Sequence, residues 1–204
     1  EEARAVRPFD NVQDLAHRAQ LSRLDLQALA AANALESLSG NRRQALWQAV
    51  ASVPDKGLLK QATVKEEHIQ LAAPSEADNI VSDYQSLGLT LRRHPVALLR
   101  SILLSKKFLP ADVLRTFSNG QFARACGIVT LRQRPETAKG TMFLSLEDET
   151  GTINVIVWPG LVEKQRQELL GASLLGVYGI WQCEQNVRSV LAKRLVDLSH
   201  LLGE

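Results

Sequence analysis

The chain has 204 residues, of which 45% are hydrophobic and 23% charged, a balance that can bury a core and is ordinary for a globular protein. A net charge of only +2 excludes the bulk basic footprint of a strong DNA binder. No apolar run approaches the ~20 residues that span a bilayer, and no signal peptide is recognisable, so no membrane association is expected. Cys126 and Cys183 are isolated and lack metal-ligand spacing, which reads as free thiols in a reducing cytoplasm rather than a disulfide framework. The chain opens Glu1-Glu2 with Met142 as its one methionine, as expected for a piece of a longer protein.

Residues 1–52 read as a small helical bundle. Asp10 or Asn11 caps a helix through Val12, Leu15 and Ala19, and Ser22 with Asp25 forms a capping box ahead of Leu26, Leu29 and Ala30. Leu15, Leu21, Leu26, Leu29, Leu35, Leu38 and Leu46 supply one apolar core of the helix-hairpin-helix type. Residues 53–79 lose periodicity around Pro54, Gly57 and Pro74 and are expected to be a partly mobile linker. Residues 80–119 regain helical spacing as a connector, with Ile80, Tyr84 and Leu87, then Val96, Leu99, Ile102 and Leu103; Pro95 and Pro110 fit helix starts. Here lies the basic excess, Arg92, Arg93, Arg100, Lys106 and Lys107, with no acid between Asp83 and Asp112.

Residues 120–199 change period. Ala125 to Arg132 reads as a strand, and Phe143 to Trp158 as a hairpin about the acidic turn Glu147–Gly151. Leu161 to Leu170 is a short helix, Leu174 to Cys183 and Val187 to Arg194 are two further strands, and 200–204 is a tail. Five strands with one helix between the third and fourth is the order of an OB-fold barrel, whose usual ligands are oligonucleotides. The fold class is therefore α+β: a helix-hairpin-helix-type bundle, a helical connector and a C-terminal OB-fold.

The segment Leu87-Gly-Leu-Thr-Leu-Arg-Arg-His-Pro95, followed by helices and by the hairpin Leu146 to Val155, resembles bacterial C-family DNA polymerases, the polymerase III alpha-subunit family. Arg132 to Phe143, the turn Glu147–Gly151, the early Pro8-Phe9 to Arg18 and the Arg42 to Trp47 helix are most similar to its error-prone branch, which works in damage-induced translesion synthesis and mutagenesis. The resemblance covers essentially the whole chain. It implies a nucleotidyltransferase whose metal-binding palm, and hence its Mg²⁺ requirement, lies outside this segment, so no catalytic residue and no cofactor is expected here. It implies single-stranded DNA and accessory mutagenesis proteins as partners, in a bacterial, nucleoid-associated cytoplasmic setting. Leu58-Leu-Lys-Gln-Ala62 lacks the spacing of a sliding-clamp peptide, so clamp contact is not assigned.

An OB-fold holds a strand by stacking bases on exposed aromatics and neutralising phosphates with Arg and Lys. Phe143, out of phase with Met142, Leu144 and Leu146, is expected to face outward, and Trp158 to be partly exposed; Trp181 is expected in the core. Arg132 and Arg134 alternate along the first strand and Lys139 follows in the loop, all three as phosphate contacts; Arg42 and Arg43 are further candidates. His94 is expected to cap or pack, and Glu147 to Glu149 to be a solvated turn rather than a metal site. Near-neutral modules, with nine basic against nine acidic residues over 121–204, keep a rival open: a docking module for accessory proteins that binds little DNA itself.

Overall fold

A computed structural model describes residues 2–51, 69–184 and 187–203, and the chain divides into two compact units, Glu1–Arg92 and Arg93–Glu204. The first unit contains α1 (Glu2–Val6), α2 (Val12–Ala19), α3 (Arg23–Ala31), α4 (Glu36–Ser39), α5 (Arg42–Ala51) and α6 (Glu76–Leu87). Asn11 caps α2, its side chain accepting from the Asp14 N–H at 2.8 Å, and Ser22 and Asp25 form the capping box of α3. The core is Val12, Leu26, Ala30, Leu35, Ala45 and Ala49, flanked by Leu15, Leu21, Leu29, Leu38 and Leu46. Residues 52–68, which include most of the expected linker, lie outside the described residues. From Ile69 the chain is tied to α5: Gln44 donates to the Ile69 carbonyl at 3.1 Å and accepts from the Leu71 N–H at 3.0 Å. α6 begins at Glu76, inside the stretch expected as linker, because Ser75 and Asp78 form a second capping box.

The second unit contains α7 (Pro95–Ser105), α8 (Ala111–Leu114), β1 (Phe122–Gln133), β2 (Met142–Asp148), β3 (Gly151–Val157), α9 (Pro159–Lys164), α10 (Arg166–Gly171), β4 (Leu174–Glu184) and β5 (Val187–Asp197). The strands close into a barrel in the order β1-β2-β3-β5-β4, the one parallel pair being β3 with β5. The helix expected between the third and fourth strands is broken at Gln165 into α9 and α10, and the Gln165 side chain is bonded to Leu195 N and O.

Alternation decides what fills the barrel. Met142, Leu144 and Leu146 of β2, Ile153, Val155 and Val157 of β3, and Val177 and Trp181 of β4 point inward and are buried. A second apolar cluster lies outside the barrel wall, where Val96 and Leu103 of α7 and Phe108 cover Cys126 and Leu174. His94 starts α7 as a cap, its Nδ1 accepting from the Val96 N–H at 3.2 Å, and Pro95 occupies the first turn. Burial pushes the Cys126 thiol up to about 12, which makes it a poor nucleophile.

The acidic turn is only partly solvated: Glu147 is exposed, but its neighbours are held in the fold. Asp148 is buried; one carboxylate oxygen accepts from Thr150 N, Thr150 Oγ1 and Gly151 N at 2.8–3.0 Å. The other accepts from Ala111 N at 2.8 Å, at the start of α8, and from Arg100 of α7 at 3.2 Å. Arg100 also holds Glu149 through two nitrogens. The expectation of a solvated turn failed for Asp148 and Glu149 because their basic partner, Arg100, lies almost fifty residues upstream. Burial alone would raise the Glu149 carboxyl, but its hydrogen bond and charge pairing with Arg100 hold it below the ordinary carboxylate range. A depressed folded value adds stability that is present above the unfolded value and is lost as pH falls through the folded one. The melting temperature of the chain should therefore drop on acidification below the ordinary glutamate range, and Glu149→Gln should be less stable at neutral pH with a flatter pH profile. Equal acid sensitivity in the variant would refute this role for Glu149.

Candidate nucleic-acid interface

The outer face of the barrel is built by the same alternation that fills its core. Phe143 lies between Gln133 of β1 and Ile156 of β3, and it is 38% exposed. Trp158, two positions beyond Ile156, is the residue that precedes α9 and is 54% exposed. The loop from β1 to β2 folds back on this end of β3. Gly140, at φ +86°, lies against Arg134 Nη2 and the Pro159 side chain, each 3.6 Å from where a Cβ would stand. Lys139 is exposed in a left-handed conformation beside it. Phe143 and Trp158 thus share one end of the barrel with Arg134 and Lys139, an aromatic and basic patch of the composition that strand binding needs.

Two of the expected contacts are placed differently. A β-bulge between Val129 and Leu131 shifts the phase of β1 by one residue, so Arg132 stands opposite the inward Leu144 rather than outward. Its guanidinium donates to the Leu169 carbonyl at 2.8 Å and to the Ala172 carbonyl, capping the end of α10. Arg42 is 4% exposed; it pairs with the buried Asp83 and donates to the Asn79 carbonyl at 2.8 Å, which fastens α6 to α5. That guanidinium is occupied within the fold. Arg43 remains exposed, with one bond to the Ala72 carbonyl at 3.2 Å.

Sequence reasoning missed Arg115 and Arg188. The structure sets them at the other end of β3, around a cavity shared with Thr152, Asn154 and Trp181. No local pattern marks them, because they are 73 residues apart and only barrel closure brings them together. Among the described residues, no group of three or more His, Cys, Asp or Glu could hold a metal ion, and no helix is long and apolar enough to cross a membrane.

Residues 123–198 match the family described as OB-fold nucleic acid binding domain, and residues 1–45 match the helix-hairpin-helix motif. The error-prone DNA polymerase of Ralstonia pickettii is 58% identical over 206 aligned residues, covering 100% of this chain and 19% of that protein. The chain belongs to the error-prone DNA polymerase family. The corresponding polymerases of Bordetella parapertussis and Burkholderia pseudomallei are 57% and 56% identical, covering 100% and 98% of this chain and 20% and 19% of their own lengths. It therefore spans about a fifth of these error-prone polymerases.

The placement of Arg132 yields a direct test. Arg132→Ala removes two charge-assisted bonds to helix-end carbonyls and should destabilise the barrel by about 1.5–3 kcal/mol in denaturant unfolding. The salt dependence of any strand binding should be unchanged. A lower salt slope with intact stability would restore Arg132 as a phosphate contact.

Proposed function

We propose that this chain is the DNA-handling region of an error-prone DNA polymerase and that its OB barrel binds single-stranded template DNA weakly during damage-induced translesion synthesis. The carrying observation is the exposed pair Phe143 and Trp158 beside Arg134 and Lys139, on the outer side of a barrel matched to nucleic-acid-binding domains. Flat aromatic faces accept any base, as a template reader requires, and two cations supply modest, salt-sensitive attraction. Weak binding follows from the equal count of acids and bases over 121–204. Template-directed nucleotidyl transfer, with its Mg²⁺, belongs in this reading to the rest of the polymerase, in the bacterial cytoplasm at the nucleoid. The similarity over the whole chain supports it.

The same neutrality, together with exposed Val113, Leu131 and Leu170 on the barrel unit, favours a second reading in which accessory mutagenesis proteins dock here. Titration of the chain with fluorescent single-stranded DNA at low and physiological salt separates the two. Stacking loss costs ~1–3 kcal/mol per base, so Phe143→Ala should weaken binding roughly tenfold with little change in melting temperature. Absence of strand binding at low salt, or binding indifferent to Phe143 and Trp158, would leave the docking reading in possession.

A further inference from the structure

The outward residues of β3 run Thr152, Asn154, Ile156 and then Trp158, about 20 Å at ~3.3 Å per residue. The aromatic patch occupies one end of this row. At the other end lies a cavity of about 400 Å³, within the range of ~300–1,000 Å³ typical of small-ligand sites.

Its lining is chemically one-sided. Arg115, the residue that closes α8, and Arg188 of β5 contribute two guanidinium groups, and no carboxylate lines it among the described residues. Neither arginine makes an ion pair among the described residues. Arg115 is held over the β2–β3 turn, where it donates to the Thr152 carbonyl at 3.4 Å. Gly151, at φ +143°, makes this possible: a Cβ there would stand 2.6 Å from Arg115 Nη2. The exposed Asn154 adds an amide able to donate. Trp181, 2% exposed, also lines the cavity, and its buried indole Nε1–H has no hydrogen-bond partner among the described residues. A buried donor without an acceptor is costly, and beside two guanidiniums free of ion pairs among the described residues an anionic oxygen is the acceptor that would suit it best.

We propose that this cavity is a phosphate subsite that takes one nucleotide of the bound strand, so that the strand runs along β3 from the Phe143–Trp158 patch to Arg115 and Arg188. The inference rests on the single-strand reading above. A strand is favoured over a free nucleotide because the cavity opens onto the exposed row of Thr152 and Asn154, which continues to Ile156 and Trp158. Arg115 lies outside the barrel sheet, so the short helix before it contributes directly to ligand binding.

The test follows the Trp181 indole N–H by ¹⁵N NMR in the 204-residue chain, assigned with Trp181→Phe, during titration with a short oligothymidylate, thymidine monophosphate or inorganic phosphate. The oligonucleotide should shift this resonance saturably. Arg115→Gln with Arg188→Gln should abolish the shift and lower the salt slope by roughly 0.7 for each phosphate no longer neutralised. Arg188→Gln alone, at an exposed position, serves if the double variant fails to fold. A resonance that no probe moves, or that moves equally in the arginine variants, overturns the subsite. Movement with the monophosphate or inorganic phosphate but not the oligonucleotide overturns the strand path and makes this a free-anion site. Strand binding that depends on Phe143 while Trp181 stays silent defeats the subsite alone; a chain that binds no strand defeats the reading beneath it, and the phosphate arm then decides the cavity by itself.

Discussion

The Asp148 carboxylate holds the second unit together. It sits at the β2–β3 turn, buried, and accepts from the turn's own backbone, from the first N–H of α8 and from Arg100 on α7. Removing any one donor would leave a buried charge less compensated, so the turn, α7 and α8 are placed as a set. The position of Arg115 follows from this. α8 is a single turn that could not hold its own orientation by helix propensity, and anchoring at Ala111 fixes where Arg115, the residue after it, reaches. The proposed phosphate subsite therefore depends on an ion-pair network that never touches ligand.

The two arginines that left the expected site show how barrel geometry redistributes charge. Arg132 looked like a face residue because strand one alternates, and a single inserted residue at the bulge turned it toward the barrel end. Arg42 was a further candidate for a phosphate contact, yet burial of Asp83 on α6 required a cation. The Asp83 carboxyl is pulled upward by burial and held below its ordinary range by Arg42 and Thr90. In both places a guanidinium serves the fold, offering several donors in a rigid fork to acceptors that helix ends and buried acids leave open.

Much of the architecture was legible because it rests on local chemistry. Both capping residues of α2 and α3, the Pro95 start, the inward row Met142, Leu144 and Leu146, and the burial of Trp181 follow from spacing alone. The outward set of Phe143 and Trp158 came from the same alternation. What stayed hidden is non-local. A bulge has no reliable signature in one strand's sequence, the partner of Glu149 is Arg100, and the cavity of Arg115 and Arg188 exists only once β3 and β5 pair in parallel. Near-neutral charge, read over whole segments, also concealed that Arg115 and Arg188 line one cavity with no carboxylate in its lining among the described residues.

The alternation along β3 has an evolutionary consequence. Ile153, Val155 and Val157 carry the barrel's packing, while Thr152, Asn154 and Ile156 carry its face, one residue apart on the same strand. Mutations on the two sets are thus nearly decoupled: inward changes are filtered by stability, and outward ones by whatever that face binds. Gly151 is the exception. It serves the turn and the arginine at once, so lineages that retune the proposed strand path are expected to vary around that glycine rather than through it.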